Sequence, residues 1–292
     1  SQISSMVRRD FFPIATLRWP HKEKERNNPQ EICARDSSRK TAFAGGACKG
    51  MATVGLFVSK IQLRGKPGML LSIKYNFLFV HIAKTGGTSV RDSLQPLRWR
   101  DPWYYAMGLC HRLNRLSGDR IGMKLPRHAK AILAKEILPE TFFDDLFKFT
   151  FVRNPWDVQV SSYHHILRSW PQLAEGREEF KDFLRWRFSP ERPFGTHLED
   201  SNRLQTDYLV DLNGDVIVDF IGKYENLQGD FDAICKRIGV PAPTLGHKKK
   251  STDRKKDYRS YYDDDTVEIV AKHFARDIEI LGYTFDPPSS AS

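Results

Sequence analysis

Two continuous apolar runs stand out along the chain, YNFLFVHI at 75–82 and FKFTFVR at 147–153. Unbroken apolarity over so short a length, rich in β-formers, predicts strands covered on both faces, as in a parallel sheet. Each run leads through a turn into helical spacing, over 88–95 and roughly 156–169. The second helix opens at Asn154-Pro155, where the missing proline N–H has no partner to lose. In RHAKAILAKEILP (127–139), Ala131, Ile132, Leu133, Ile137 and Leu138 fall at helical spacing, and 178–188 predicts another amphipathic helix. DYLVDLNGDVIVDFIGKYENL (207–227) reads as two short strands around Asn213-Gly214, a strong hairpin signal. A helix follows at about 227–239, ended by Gly239 and Pro241, and 265–281 predicts a final amphipathic helix. Strands alternating with helices define an α/β domain with a mainly parallel sheet, the hairpin being an addition.

Residues 1–68 show no sustained helix or strand period and are expected to form a disordered extension. Met69 opens MLLSIKYNFLFVHI, a natural start for an α/β domain. The length of 292 residues allows one large domain or two small ones, and 40% hydrophobic content supplies a core. The net charge of +10 suggests a polyanion partner, but residues 1–68 carry +8 of it and 69–292 only +2. The folded part is therefore near neutral, which argues against nucleic acid as the partner.

Cys33, Cys48, Cys110 and Cys235 form no C-x-x-C pair, so neither a zinc site nor a disulfide framework is spelled. Free buried thiols in a reducing compartment are the expectation. No run reaches the roughly 18 apolar residues a membrane span requires. MATVGLFVSKIQL (51–63) is too short, contains Lys60 and lacks a secretory cleavage pattern. An organelle transit segment is the alternative for the basic N-terminal quarter, opposed by Glu23, Glu25, Glu31 and Asp36. The expectation is a cytoplasmic protein, with peripheral association at a membrane as a compatible variant.

FLFVHIAKTGGTSVRDSL (77–94) joins a strand to a helix through two glycines, with the lysine before them. The nucleotide-binding spelling G-x-x-x-x-G-K-[ST] has the opposite order. Gly86 and Gly87 let successive N–H groups converge on one anion, Thr85, Thr88 and Ser89 add hydroxyls, and Lys84 adds a full charge. An ordinary strand-to-helix turn capped by Thr88 or Ser89 fits the same residues. In FVRNPWDVQVSSY (151–163), Arg153 ends a strand with a group suited to bidentate phosphate binding, and Ser161 follows on the helix. Alternatively Arg153 pairs with a carboxylate, while Trp156 reads as core. Two such turns at strand ends suggest a ligand carrying two separate anionic groups.

Together, HIAKTGGTS and FVRNPWDVQVSSY resemble the two cofactor motifs of sulfotransferases that use 3′-phosphoadenosine 5′-phosphosulfate (PAPS), closest to the family 2 enzymes. The resemblance extends through QTDYLVDLNGDVIVDFIGKYENL and YRSYYDDDTVEIVAKHFARDIEILGYTFD, covering roughly 73–286. It implies a P-loop-NTPase-like three-layer domain with a mainly parallel central sheet and flanking helices, over 69–287, with 288–292 a short flexible tail. It further implies that Lys84, Thr85, Gly86, Gly87, Thr88 and Ser89 wrap the 5′-phosphosulfate, and that Arg153 and Ser161 bind the 3′-phosphate. No metal is required, because a lysine and backbone dipoles can absorb the leaving group's charge.

Sulfuryl transfer to an alcohol needs a proton acceptor, and histidine suits it because its pKa lies near working pH. His81 sits in the strand beside the loop, where it orients the loop rather than reacts. His164 and His165 are adjacent on a helix, face different ways and make no metal pair. The resemblance implies His128, at the start of the 127–139 helix, as the general base, with His247 as runner-up and a capping role as the structural alternative. In HKKKSTDRKKDYR (247–259), it draws Lys248 and Ser251 into phosphate binding, although Lys249 replaces the Asn common in the family. Lys223, Tyr224 and Glu225 read as structural pairing residues. The expected activity is PAPS-dependent sulfation of a hydroxyl on a carbohydrate-type acceptor. The alternatives are a catalytically silent PAPS-binding module and a P-loop kinase, the latter lacking its motif and its magnesium-holding aspartate. Acceptor identity and oligomeric state are not readable from the sequence.

Overall fold

The computed structural model describes residues 69–286 except 99, 103, 106–108, 110–124, 193–198, 247–254 and 256. The expectations for the N-terminal extension, the C-terminal tail, Lys248 and Ser251 lie outside the described residues. Strands β1 (Leu70–Ser72), β2 (Phe77–Val80), β3 (Phe147–Val152) and β4 (Phe220–Lys223) form one sheet in the order β1-β2-β3-β4. β1 runs antiparallel to β2, while β2, β3 and β4 are mutually parallel. The tight β1–β2 turn places Asn76 at φ 49°, a left-handed conformation that asparagine tolerates. Asp101 secures this turn by accepting from Ser72 Oγ and from the N–H groups of Ile73 and Lys74.

Alternate side chains of the strands enter different cores. Phe77, Phe79, Phe149 and Phe151 point to one face, where Val90 and Leu94 of α1 (Gly87–Arg98) cover them. Leu78 faces the other way, against Ala134 of α2 (Ala131–Ile137) and Phe143 of α3 (Glu140–Asp145). Coverage on both faces explains why β2 and β3 read as unbroken apolar runs. A third cluster joins α4 (Pro155–Ser169) to α5 (Phe180–Arg187) through Trp156, Tyr163, Phe180 and Phe183. Asn154 caps α4 by accepting from Trp156 N, with Pro155 at the first turn as its sequence predicts. The result is a mixed α/β domain, a four-stranded sheet flanked by helices.

Three local expectations are corrected. The hairpin at 207–227 is reduced to a single antiparallel bridge, Val210↔Val216. Beyond that bridge the chain joins the main sheet beside β3, where Lys148 N donates to Asp219 Oδ2 and Asp219 N donates back to Lys148 O. Helix 265–281 is two helices, α7 (Asp264–His273) and α8 (Ala275–Leu281), separated at Phe274. His128 lies in a turn, three residues ahead of α2, not in its first turn. Helix α6 (Leu227–Arg237) packs Phe231, Ile234 and Cys235 onto the phenylalanine face, and Cys235 is buried and free.

Asp277 of α8 is fully buried and accepts from Gln205 N, Thr206 N and Thr206 Oγ1. Gln205 in turn accepts from Arg153 N and donates to Arg153 O. The C-terminal helix thus positions the tip of β3 through one glutamine. Asp277→Ala leaves two buried N–H groups without acceptors and is expected to destabilise the domain by about 2–4 kcal/mol. The check is a lowered urea midpoint with an unchanged slope.

Candidate active site

Because β2, β3 and β4 are parallel neighbours, their carboxyl ends share one edge of the sheet, where ligands of open α/β sheets bind. Three turns meet there: 81–86 after β2, Arg153-Asn154 after β3, and Tyr224-Glu225 after β4. The first is wound tightly. Lys84 has φ 67° and Gly86 φ 79°, and Thr85, almost wholly buried, donates to Ile82 O at 3.1 Å. A left-handed lysine costs about 1–2 kcal/mol relative to the right-handed region, so the fold holds this conformation against its preference. Two glycines are dictated by contact. A Cβ on Gly86 would lie 2.9 Å from the Tyr224 ring, and one on Gly87 only 2.3 Å from the His81 ring.

Arg153 sits at the meeting point with 3% of its surface exposed. Its Nε donates to Asp157 Oδ2 at 2.7 Å, Nη2 lies 2.6 Å from the same oxygen, and Nη1 donates to Lys84 O at 3.1 Å. The guanidinium stacks on Tyr224, 3.8 Å from the ring centre. Burial pulls its pKa below 12.5, opposed by Tyr224, Glu225 and Tyr283. Glu225 accepts from Asn154 N and from Tyr283 Oη, fixing the β4 tip to the β3 tip. The structure therefore gives Arg153 the carboxylate partner that was one of its two readings. Ser161 lies half-buried on α4, four residues beyond Asp157 and so on the helical face that carries Arg153's partner.

On the other side of the glycine loop, His128 Nδ1 lies 2.9 Å from His81 O, and the two rings are 4.7 Å apart. Arg127 donates from Nε to His81 Nδ1 at 3.2 Å and from Nη2 to Thr88 Oγ1 at 3.1 Å. Ser89 Oγ donates to Gly246 O at 2.8 Å, bringing the chain just before the 247–254 segment to the loop. Desolvation lowers the pKa of His128 below 6.5, aided by Arg127 and Arg91 and opposed by the His81 carbonyl and Asp200. The shift favours the neutral imidazole, the form able to accept a proton. Lys84, Thr85, Gly86, Gly87, Thr88, Ser89, Arg153 and His128 all lie on or beside these strand tips. Sequence reading missed Arg127, Gln205 and Asp157, whose roles depend on which buried groups they face; only Asp157, four residues from Arg153, carried a legible spacing.

Over residues 67–284 the chain matches the Sulfotransferase family, Sulfotransfer_2, and it belongs to that family. Membership makes the chain a transferase, with sulfuryl transfer as the family's general activity. An uncharacterized protein of Archaeoglobus fulgidus is 33% identical over 99 residues, 34% of this chain and 72% of that relative. No solved structure matches the chain. Among the described residues, no group of three or more His, Cys, Asp or Glu side chains is placed to hold a metal ion. None of their helices is long and apolar enough to cross a membrane.

Gly87→Ala forces the His81 ring, packed against Phe79, out of its place. The expected cost is about 1–3 kcal/mol, read as a fall in the thermal unfolding midpoint.

Proposed function

We propose that the domain, residues 69–287, transfers a sulfuryl group from PAPS to a hydroxyl of a carbohydrate-type acceptor, and that its layered sheet is P-loop-NTPase-like. The observation that carries this reading is the 3.1 Å hydrogen bond from Arg153 Nη1 to Lys84 O, which joins the two anion turns into one site. The glycine loop suits the 5′-phosphosulfate. Gly86 and Gly87 let the loop wind tightly between the Tyr224 and His81 rings, Thr88 and Ser89 open the N-terminus of α1, and Lys84 supplies charge. Arg153 and Ser161 suit the 3′-phosphate, with Asp157 setting the guanidinium's orientation, and Lys248 and Ser251 would add contacts from the following loop.

His128 accepts the acceptor's hydroxyl proton as that oxygen bonds to sulfur. Lys84 offsets the negative charge left on the 5′-phosphate when its bond to sulfur breaks in line. Desolvation of His128 supports the assignment, since a base must be neutral at working pH. The carbohydrate class rests on the Arg-, Trp- and Phe-rich stretch 168–203, in which Arg177 stacks 4.6 Å from the ring centre of Trp186.

Retention on immobilised 3′-phosphoadenosine 5′-phosphate tests the donor. Wild type is expected to bind, Lys84→Ala to bind about 10–100-fold more weakly, and Arg153→Lys to lose its bidentate geometry and weaken likewise. Failure of wild type to bind, or binding by both variants as tight as that of wild type, overturns the reading. Transfer of labelled sulfate to sugars rather than phenols tests the acceptor class.

The pH dependence follows from His128. Its conjugate acid cannot take a proton, so kcat/KM is expected to fall as pH drops through a pKa below 6.5. Above that limb the histidine contributes no further change, and His128→Ala removes both the limb and the transfer.

A further inference from the structure

Arg127 is the least conspicuous residue at the site, yet it contacts both the glycine loop and the imidazole pair. Its Nε–H can only donate, so the His81 Nδ1 it reaches at 3.2 Å must accept. A neutral His81 therefore carries its hydrogen on Nε2. The neighbouring ring is constrained in the opposite sense. His128 Nδ1 lies 2.9 Å from a carbonyl, His81 O, which only accepts, so Nδ1 of His128 must carry the hydrogen. Two imidazoles 4.7 Å apart are thus fixed in opposite tautomers. The second arm of Arg127, donating from Nη2 to Thr88 Oγ1 at 3.1 Å, ties this arrangement to the first turn of α1.

We infer that the His81 carbonyl leaves Nε2 of His128 as its proton-accepting nitrogen, and that Arg127 is a positioning residue that fixes the tautomer of the adjoining His81 ring and ties this pair to the hydroxyl of Thr88. The inference deepens the proposed function and rests on it for the word "proton-accepting". The tautomers themselves follow from hydrogen-bond direction alone. His81 is packed against Phe79 at 5.4 Å and beneath Gly87, so its ring has no room to turn over and exchange its nitrogens. Protonating Nδ1 of His81 would aim an N–H at the Arg127 N–H, so the pair favours a neutral His81. The charged groups acting on this cluster include Asp92 on Arg127, and Asp200, Arg127 and Arg91 on His128. A lysine at 127 could serve one acceptor from its single ammonium but not span both as the planar fork does.

Nitrogen-15 NMR of the histidine rings in the full chain tests this without an acceptor, the signals being assigned with His81→Asn and His128→Asn. Wild type near pH 7.5 is expected to show an unprotonated Nδ1 at His81 and an unprotonated Nε2 at His128. In Arg127→Met, the His81 signals should shift toward a mixture of tautomers while His128 keeps Nδ1 protonated. Affinity for 3′-phosphoadenosine 5′-phosphate should fall about tenfold as Thr88 loses its partner. Arg127→Lys should show a smaller shift in the same direction, and serves if the methionine variant does not fold. Equal tautomers at both histidines in wild type, or His81 signals unmoved in both variants, overturn the inference. Opposite tautomers in a chain that fails to bind the nucleotide sink the donor assignment and leave the positioning pair standing. Nucleotide binding without opposite tautomers sinks the pair alone.

Discussion

A guanidinium removed from water at the end of β3 sets the terms for everything at this edge of the sheet. A buried charge is tolerated only when its donors are satisfied, and losing one partner costs far more than an exposed pair gains. Arg153 draws its partners from three elements: Asp157 from α4, the Lys84 carbonyl from the loop after β2, and the Tyr224 ring from the turn after β4. Satisfying one residue therefore fixes the relative placement of three turns. Parallel pairing of the strands makes this possible, since antiparallel neighbours would have sent their tips to opposite edges.

Much of this was legible in the sequence where a pattern has a single physical cause. β2 and β3 were readable because strands covered on both faces leave no polar alternation, and the start of α4 because Asn-Pro signals a cap. The hairpin was only partly legible, because Val216 and Ile217 pair back with Val210 and Leu209 while the chain from Asp219 onward takes β3 as its partner. The choice went to β3 through the exchange of hydrogen bonds between Lys148 and Asp219, residues 71 apart in the chain. The break at Phe274 escaped because α7 and α8 share one apolar spacing and the interruption is a single residue at φ −103° and ψ 22°.

Within the site, the glycine pair made a tight strand-to-helix turn legible, whereas the polar residues that stiffen it did not announce themselves. Gln205 looks like any loop glutamine until its amide is seen bridging the N–H and C=O of Arg153. Arg127 reads as one basic residue among many until its two donors are traced to Thr88 and His81. The electrostatic balance is equally contextual. His128 is biased toward its neutral form mainly by loss of water, with cations and a carboxylate nearby pulling in opposite directions. Sequence proximity to Arg127 discloses only one of those contributions.

The tether from Asp277 through Gln205 to Arg153, joined by the bond from Asn154 Nδ2 to Thr284 O, has a consequence for biosynthesis. A nascent polypeptide released only as far as Val240 already contains all four strands and α6, enough to close the sheet over its phenylalanines. It lacks the carboxylate and the carbonyl that hold the β3 tip in place. That edge of the sheet is thus finished last, after translation has passed Thr284, and a half-made chain carries a packed interior with an unfinished rim.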